Sequence, residues 1–312
     1  MNGIKATLRI GTRSSPLALA QVDLLIGAVQ KAHPGVAFEI VKITTSGDRI
    51  QDRALSEAGG KGLFTKEIEE ALLAGTIDCA VHSMKDMPTK LPDGLVIPCL
   101  LPREDPRDAF FSRHGGSLDD LPEGSVVGTS SLRRQAILLA RRPDLKIALL
   151  RGNVGTRLRK LEEGVVDATL LAVAGLKRLG QEHLIRNILE PDVMLPAVAQ
   201  GAVGIEVRGN DARAREILSS VHCHVTELRV TAERAFLDAM DGSCKTPLAA
   251  LLQEPDAQGR ARFDVLVARP DGSDVKTASV MAEVPDVKAA DALGRKAGRD
   301  LKARLPEGYL AA

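Results

Sequence analysis

Tryptophan is absent from this 312-residue chain, tyrosine occurs once and phenylalanine six times. Proteins that bind single-stranded nucleic acid commonly pair a basic groove with aromatic stacking platforms, so this scarcity argues against a nucleic-acid partner. Long apolar runs are also missing. Nothing approaches the eighteen residues of a membrane span, and MNGIKATLRIG passes into a strand pattern without a secretory apolar region. A cytoplasmic protein with no membrane partner is therefore expected. The four cysteines, Cys79, Cys99, Cys223 and Cys244, form no CxxC or zinc-ribbon spacing, which points to reduced thiols. Read as a strand, His222-Cys223-His224 puts its histidines on one face and its cysteine on the other. No further ligand pair completes a four-ligand set, so no metal is expected.

Acidic residues are nearly missing from one interval. Between Thr129 and Lys160 stand Arg133, Arg134, Arg141, Arg142, Lys146, Arg151, Arg157, Arg159 and Lys160, opposed only by Asp144, in a chain of net charge +1. Such local asymmetry suggests an anion site, although a solvated helix face also collects cations. Arginine presents planar donor pairs that match carboxylates and phosphates.

The length favours two or three domains. Ala6 to Ile10 reads as a strand, followed by GTRSSP and a helix in which Ser15 caps and Pro16 occupies the first turn. Strands follow at 36–43 and 78–83, with a helix over 65–74 between them. CLLPREDP, residues 99–106, reads as a linker because prolines interrupt it. A second set then alternates strands at 125–128, 146–150 and 167–171 with helices at 131–140 and 154–162. Mostly parallel sheets covered by helices are the simplest architecture for this alternation. Beyond Val221 come a helix over 226–240, the loop DGSCKTP, a strand near 262–268 and a helix within 289–303. No internal repeat is evident.

Thr129, Ser130 and Ser131 lie where a strand turns into a helix, directly before Arg133 and Arg134. Hydroxyls, first-turn amides and guanidiniums can converge on an anion there. Arg151, Gly152, Asn153, Thr156 and Arg157 occupy the next such junction, and adjacent junctions of a parallel sheet open on one edge. Arg13 and Ser15 offer a third anion-binding loop, which an ordinary helix cap also explains. Lys61 sits in GGKG, which lacks the P-loop arrangement. Lys85 and Asp86 leave an apolar strand before Met87-Pro88; a lone aspartate there is a turn-former, or a carboxylate suited to stabilising a cation or receiving a proton. Cys244, in Gly242-Ser243-Cys244-Lys245, is either an inert loop thiol or, beside a cation, a nucleophile or attachment point.

RIGTRSSPLALAQ, GGKGLFTKEIE, AVHSMKDMP, REDPRDAF, VGTSSLRRQ, LRGNVGTRLRKL, LAVAGLKRLG and the GSCKTP loop occur in order across most of the chain. Together they closely resemble the porphobilinogen deaminase family. The resemblance implies an α/β fold of three domains, at 1–99 with a return at 200–217, at 100–199 and at 218–312. The first two resemble a type II periplasmic binding protein, and the third is a smaller α/β domain that carries the cofactor. It implies a transferase of tetrapyrrole and heme biosynthesis that condenses four porphobilinogens into 1-hydroxymethylbilane and releases ammonia. By position, Cys244 would carry a dipyrromethane cofactor through a thioether and Asp86 would be the central catalytic carboxylate. Arg13, Ser15, Thr129, Ser131, Arg133, Arg134, Arg151, Arg157 and Arg178 would bind acetate and propionate groups or assist catalysis. Lys61, Phe64 and Lys85 fall in matching active-region motifs. The partners implied are porphobilinogen and the growing linear polypyrrole, with the protein expected as a monomer that could pass product to a downstream tetrapyrrole enzyme.

Within the basic interval, Arg133, Arg134, Arg151 and Arg157 are expected to face the pyrrole chain, and Arg141, Arg142 and Lys146 to be solvated. PAVAQG carries Ala199 where many relatives have glycine, a difference that matters if the backbone needs positive φ there. The attachment loop reads GSC where GGC is common. The main competing reading is a non-enzymatic two-lobed anion-binding protein, which would need neither Asp86 nor Cys244.

Overall fold

The computed structural model describes residues 6–49, 62–242 and 246–309. Lys61 and Cys244 lie outside the described residues. The chain forms two compact units: Met1–Glu104 with Ala202–Thr226, and Asp105–Gly201 with Glu227–Ala312.

The first unit runs β1 (Ala6–Thr12), α1 (Pro16–Ala32), β2 (Val36–Lys42), α2 (Ser46–Arg49), α3 (Lys66–Leu73), β3 (Cys79–Ser83), a 3-10 turn (Met84–Asp86) and β4 (Leu95–Leu100). In the second follow β5 (Asp108–Ser112), β6 (Val126–Gly128), α4 (Leu132–Arg141), β7 (Lys146–Ala148), α5 (Val154–Glu162), β8 (Ala168–Ala172), α6 (Val173–Arg178) and β9 (Asn187–Leu189). β10 (Val203–Arg208) and α7 (Ala212–Ser219) belong to the first unit again. α8 (His224–Ala239), β11 (Leu248–Leu252), β12 (Arg260–Ala268), β13 (Val275–Glu283) and α9 (Val287–Lys302) complete the described elements.

The first sheet has the order β2-β1-β3-β10-β4, the second β7-β6-β8-β5-β9, and the third is β11-β12-β13. In the first, β2, β1 and β3 are parallel and β10 runs antiparallel to both neighbours. The second repeats that plan, with β5 as the antiparallel strand. The third is wholly antiparallel. The sheets are therefore mixed rather than mostly parallel, because a strand from the far side of each crossover enters fourth in the order. The fold is α/β with three sheets, the third smaller, as expected.

Helices cover both faces of the first sheet. Val22, Leu25 and Val29 of α1 pack on Leu8, Ile10, Val81, Ile205 and Val207. Ile68 and Leu72 of α3 pack on Ala80 from the opposite face. Burial of each such side chain contributes about 1.5–3 kcal/mol. In the second unit α4 lies between sheets, since Ala136 and Leu138 share one core with Val127 and Leu170 and with Ala249, Leu251 and Leu266 of the third sheet.

Two local expectations change. Cys99 and Leu100 finish β4, so the linker begins later than residue 99. His222 and Cys223 are not in a strand; they join α7 to α8, where Leu100 N donates to His222 Nδ1 (3.2 Å) and Cys223 N donates to Leu100 O (2.8 Å).

Candidate active site

In the first unit the parallel course of β1 and β3 brings Arg13 and Ser15 to the same sheet edge as Lys85 and Asp86. Ser15 caps α1 as its position predicts: its Oγ accepts from Ala18 N at 3.2 Å, and Pro16 begins the helix. Arg13 Nε donates to both carboxylate oxygens of Asp48, at 3.0 and 3.2 Å, and Nη2 donates to the same group. Its guanidinium carbon stands 4.2 Å from the centre of the Phe64 ring. The ring lies against Gly47, where a Cβ would approach Phe64 Cε1 to 2.3 Å. Burial pushes the Asp48 carboxyl up, but hydrogen bonds from Arg13 and Thr45 outweigh it and hold the group below its ordinary range. Arg13 is thus partly occupied by Asp48.

Lys85 and Asp86 are exposed between Met84 and Met87, which are both buried. The turn is pinned beneath them: Met84 N donates to Ala202 O (3.0 Å) and Met87 N to Met84 O (3.2 Å). Gln21 Nε2 donates to Ser83 Oγ at 2.8 Å, tying α1 to the last residue of β3. Two buried methionines flanking two exposed charges set a carboxylate at the strand exit on a fixed base.

In the second unit β6, β7 and β8 are parallel, so the β6–α4 and β7–α5 junctions share an edge. Thr129 Oγ1 accepts from Ser131 N (3.1 Å), and Ser131 Oγ caps α4 at Arg134 N (3.4 Å). Asn153 caps α5 through Thr156 N (2.9 Å). Arg157 Nε donates to Gly152 O at 2.9 Å, folding its guanidinium back over the junction. Arg151 is half-buried beside it. Arg178 ends α6 and donates to Gly201 O at 2.5 Å.

Arg133 and Arg134 depart from the expected outward orientation. Arg133 donates to Asp108 Oδ2 (2.8 Å) and Leu195 O (2.6 Å), while Arg134 donates to Asp108 Oδ1 (2.7 Å) and Leu170 O (2.8 Å). Gln200 Nε2 adds a bond to Asp108 Oδ1 at 2.9 Å. Asp108 is fully buried and both arginine side chains nearly so. Burial pushes the Asp108 carboxyl up, but the two guanidiniums overcome this and hold it well below the ordinary range. The sequence gives no local sign of this centre, because its acid lies outside the basic interval.

Much of the remaining positive charge is also partnered from outside. Asp119 bonds Arg141 at 2.8 Å and Glu163 stands 3.5 Å from Arg159, while Arg142 pairs with Asp144 at 2.7 Å. Lys146 and Arg141 are exposed, as expected, whereas Arg142 is more enclosed than a solvated charge, with Leu118 O and Leu121 O as further acceptors. The two junctions bring together hydroxyls, two helix starts, Arg151 and Arg157, a donor set that suits carboxylates.

The family model described as "Porphobilinogen deaminase, dipyromethane cofactor binding domain" matches residues 8–216, and "Porphobilinogen deaminase, C-terminal domain" matches residues 227–303. The chain belongs to the porphobilinogen deaminase family. The porphobilinogen deaminase of Paracoccus denitrificans is 54% identical over 304 residues, covering 97% of this chain and 96% of the relative. The chloroplastic porphobilinogen deaminase of Oryza sativa subsp. japonica is 51% identical over 306 residues, covering 97% and 85%. A TRAP periplasmic solute-binding protein from Desulfovibrio salexigens is 13% identical, covering 70% of this chain and 73% of its own, at a TM-score of 0.43.

A porphobilinogen deaminase is a transferase of tetrapyrrole biosynthesis, and this chain is such an enzyme: it condenses porphobilinogen through linear polypyrrole intermediates into 1-hydroxymethylbilane and releases ammonia. Its cofactor is dipyrromethane. The donor set at the two junctions fits that group, whose substituents are carboxylates. A non-enzymatic anion-binding role is not favoured. Among the described residues no helix is long and apolar enough to cross a membrane.

Proposed function

We propose that Asp86 is the catalytic carboxylate of this condensation and that Cys244 anchors the dipyrromethane through a thioether. The observation that carries the first assignment is the exposed Asp86 on a turn pinned by two buried methionines, at the sheet edge that also bears Arg13, Ser15 and Lys85. When bound, the dipyrromethane supplies the free pyrrole α-carbon from which the product chain grows. Porphobilinogen loses its protonated aminomethyl nitrogen as ammonia and becomes a cationic pyrrole. Asp86 stabilises that cation by charge and orients pyrrole N–H groups through its oxygens. After carbon–carbon bond formation the pyrrole α-carbon that made the new bond loses its proton, which restores the ring's aromaticity, and the Asp86 carboxylate accepts that proton.

Each added unit brings an acetate and a propionate. Arg151, Arg157 and Arg178, with the hydroxyls of Thr129 and Ser131, offset that growing negative charge in the second unit. Arg13, Ser15, Lys61, Phe64 and Lys85 serve the first. Arg133 and Arg134 contribute by shaping the start of α4 around Asp108, and direct contact with the pyrrole chain requires them to exchange that partner.

The three-domain division at 1–99 with 200–217, 100–199 and 218–312 belongs to the same reading, as do a cytoplasmic monomer and transfer of product to a downstream tetrapyrrole enzyme.

Asp86→Ala tests the catalytic assignment. Turnover is expected to fall by at least about 10²-fold, the range of a lost acid–base group, while circular dichroism is unchanged; retained turnover overturns it. Intact-protein mass tests the anchor. The parent should carry an added dipyrromethane mass that Cys244→Ser lacks, and an added mass surviving in Cys244→Ser assigns the attachment elsewhere.

A further inference from the structure

The turn that carries Lys85 and Asp86 rests on β10, and β10 meets it with an unusual pair of residues. Gly204 lies opposite His82, and Glu206 opposite Ala80, so Gly204 and Glu206 share one face of the strand. A Cβ on Gly204 would stand 2.1 Å from Met84 Sδ and 3.2 Å from both Met84 Cγ and Ile97 Cγ2. The Met84 thioether therefore occupies the volume that any other residue at 204 would need. Two residues along, His82 Nε2 and Glu206 Oε2 are 3.0 Å apart, with His82 6% and Glu206 0% exposed. Met84 N donates to Ala202 O at 3.0 Å, adding a main-chain tie between the same segments.

These contacts come from three alternate positions, 202, 204 and 206: Glu206 meets His82, Gly204 seats the Met84 side chain, and Ala202 O takes the Met84 amide. Side chains facing the buried side are held, and those of Lys85 and Asp86 are left exposed. A shift of one residue in the seat of Met84 would rotate the turn and displace the carboxylate. Burying an ionisable pair solely for stability is a weak device, because desolvation offsets the attraction. Positional fixation accounts better for a glutamate and a histidine placed beneath this turn. Among the described residues, Glu69 of α3 also faces Glu206 and His82.

We propose that Gly204 and Glu206 are positioning residues for the condensation, acting through Met84 and His82 to fix the Asp86 carboxylate. This rests on Asp86 being the catalytic carboxylate. Neither β10 residue touches substrate on this account. Their loss should lower kcat and leave KM for porphobilinogen largely in place, since the carboxylate-binding groups lie on other segments.

The test uses the cofactor-loaded full chain and compares Gly204→Ala, Met84→Ala, their double variant, Glu206→Gln, Glu206→Leu and Asp86→Ala. Gly204→Ala and Met84→Ala are each expected to lower kcat at least tenfold with KM changed less than threefold. The double variant should lose no more than Met84→Ala alone, because removal of the thioether frees the space taken by the new methyl. Glu206→Gln, which can still hydrogen-bond His82, should keep kcat within threefold of the parent, and Glu206→Leu should not. Parental kcat in Gly204→Ala, or losses that simply multiply in the double variant, overturns the proposal. If Gly204→Ala gives no folded protein, Met84→Ala and the Glu206 pair decide in the same way: parental kcat in Met84→Ala and Glu206→Leu overturns it. Asp86→Ala separates the two assignments. Retained turnover there removes the catalytic reading, whereas lost turnover there with parental kcat in the β10 variants removes only the positioning role.

Discussion

Ala199 holds φ at 57°, in the left-handed region where a Cβ is crowded by the following carbonyl. Its amide is committed there, donating to Glu233 Oε2 at 2.7 Å, while the other Glu233 oxygen accepts from Leu252 N at 3.0 Å. Glycine takes this conformation without strain and keeps the amide. Ala199→Gly is therefore expected to stabilise the protein by about 0.5–1 kcal/mol, after allowing for the greater freedom of unfolded glycine. Chemical denaturation checks this, and a loss of stability would mean that the methyl packs better than its backbone angle suggests. The same residue scale shows what a sequence can reveal of a site. Ser15 is legible as a cap, and Ser131 and Asn153 prove to act in the same way, because each bonds an amide three residues away. Asp48 and Asp108 are not, because their arginines lie 35 and 25 or 26 residues distant and only the sheet brings them together. The basic interval consequently looks more available in sequence than it is in space.

At the scale of elements, the seam between α8 and α9 depends on missing side chains. A Cβ at Gly294 would lie 2.1 Å from Ala232 O, and one at Gly298 would lie 2.6 Å from Ala239 Cβ. The two glycines are four residues apart, hence on one face of α9. Glycine ordinarily weakens a helix interior, so close approach is what these positions gain in return. Gly294→Ala is expected to lower stability by about 1–3 kcal/mol as an overpacking change, despite its better helix propensity. A denaturation midpoint at or above that of the parent would show that the helices can separate without loss. Helices were the more legible elements: caps and 3.6-residue periodicity locate α1, α4, α5 and α9 to within a few residues. Strands β4 and β10 escape that reading for distinct reasons. β4 contains Pro98 and is tolerated as an edge strand, whereas VGIEVR of β10 is buried along most of its length and lacks alternation. The matching strand orders of the first two sheets leave no sequence repeat, because topology constrains where chains cross and not which apolar residues fill the core.

For the whole molecule, the near-zero net charge conceals a set of carboxylates whose folded forms favour ionisation. Burial pushes Asp78, Asp105 and Asp108 up, yet hydrogen bonds and charge from Arg9, from Arg107, and from Arg133 with Arg134 respectively leave each below its ordinary value. A carboxylate depressed in the folded state contributes stability above its unfolded pKa, near 4, and loses it as pH falls toward the folded value. Glu69 runs the other way, since burial raises it and its contribution declines as pH rises. The depressed carboxylates, Asp48 among them, outweigh the one raised group and predict a protein that loses stability on acidification. Asp108 should account for a distinct part of that loss because both its arginines are buried with it. Asp108→Asn would leave those guanidiniums without their counter-charge and is expected to cost about 3–5 kcal/mol at neutral pH. It would also remove one titrating group, so stability measured by denaturant at pH 5, 4 and 3, the range that runs through and below the unfolded pKa, should fall less steeply in Asp108→Asn than in the parent. Parallel pH curves would show that Asp108 stays ionised in the unfolded chain as firmly as in the folded one, contrary to the buried pairing with Arg133 and Arg134.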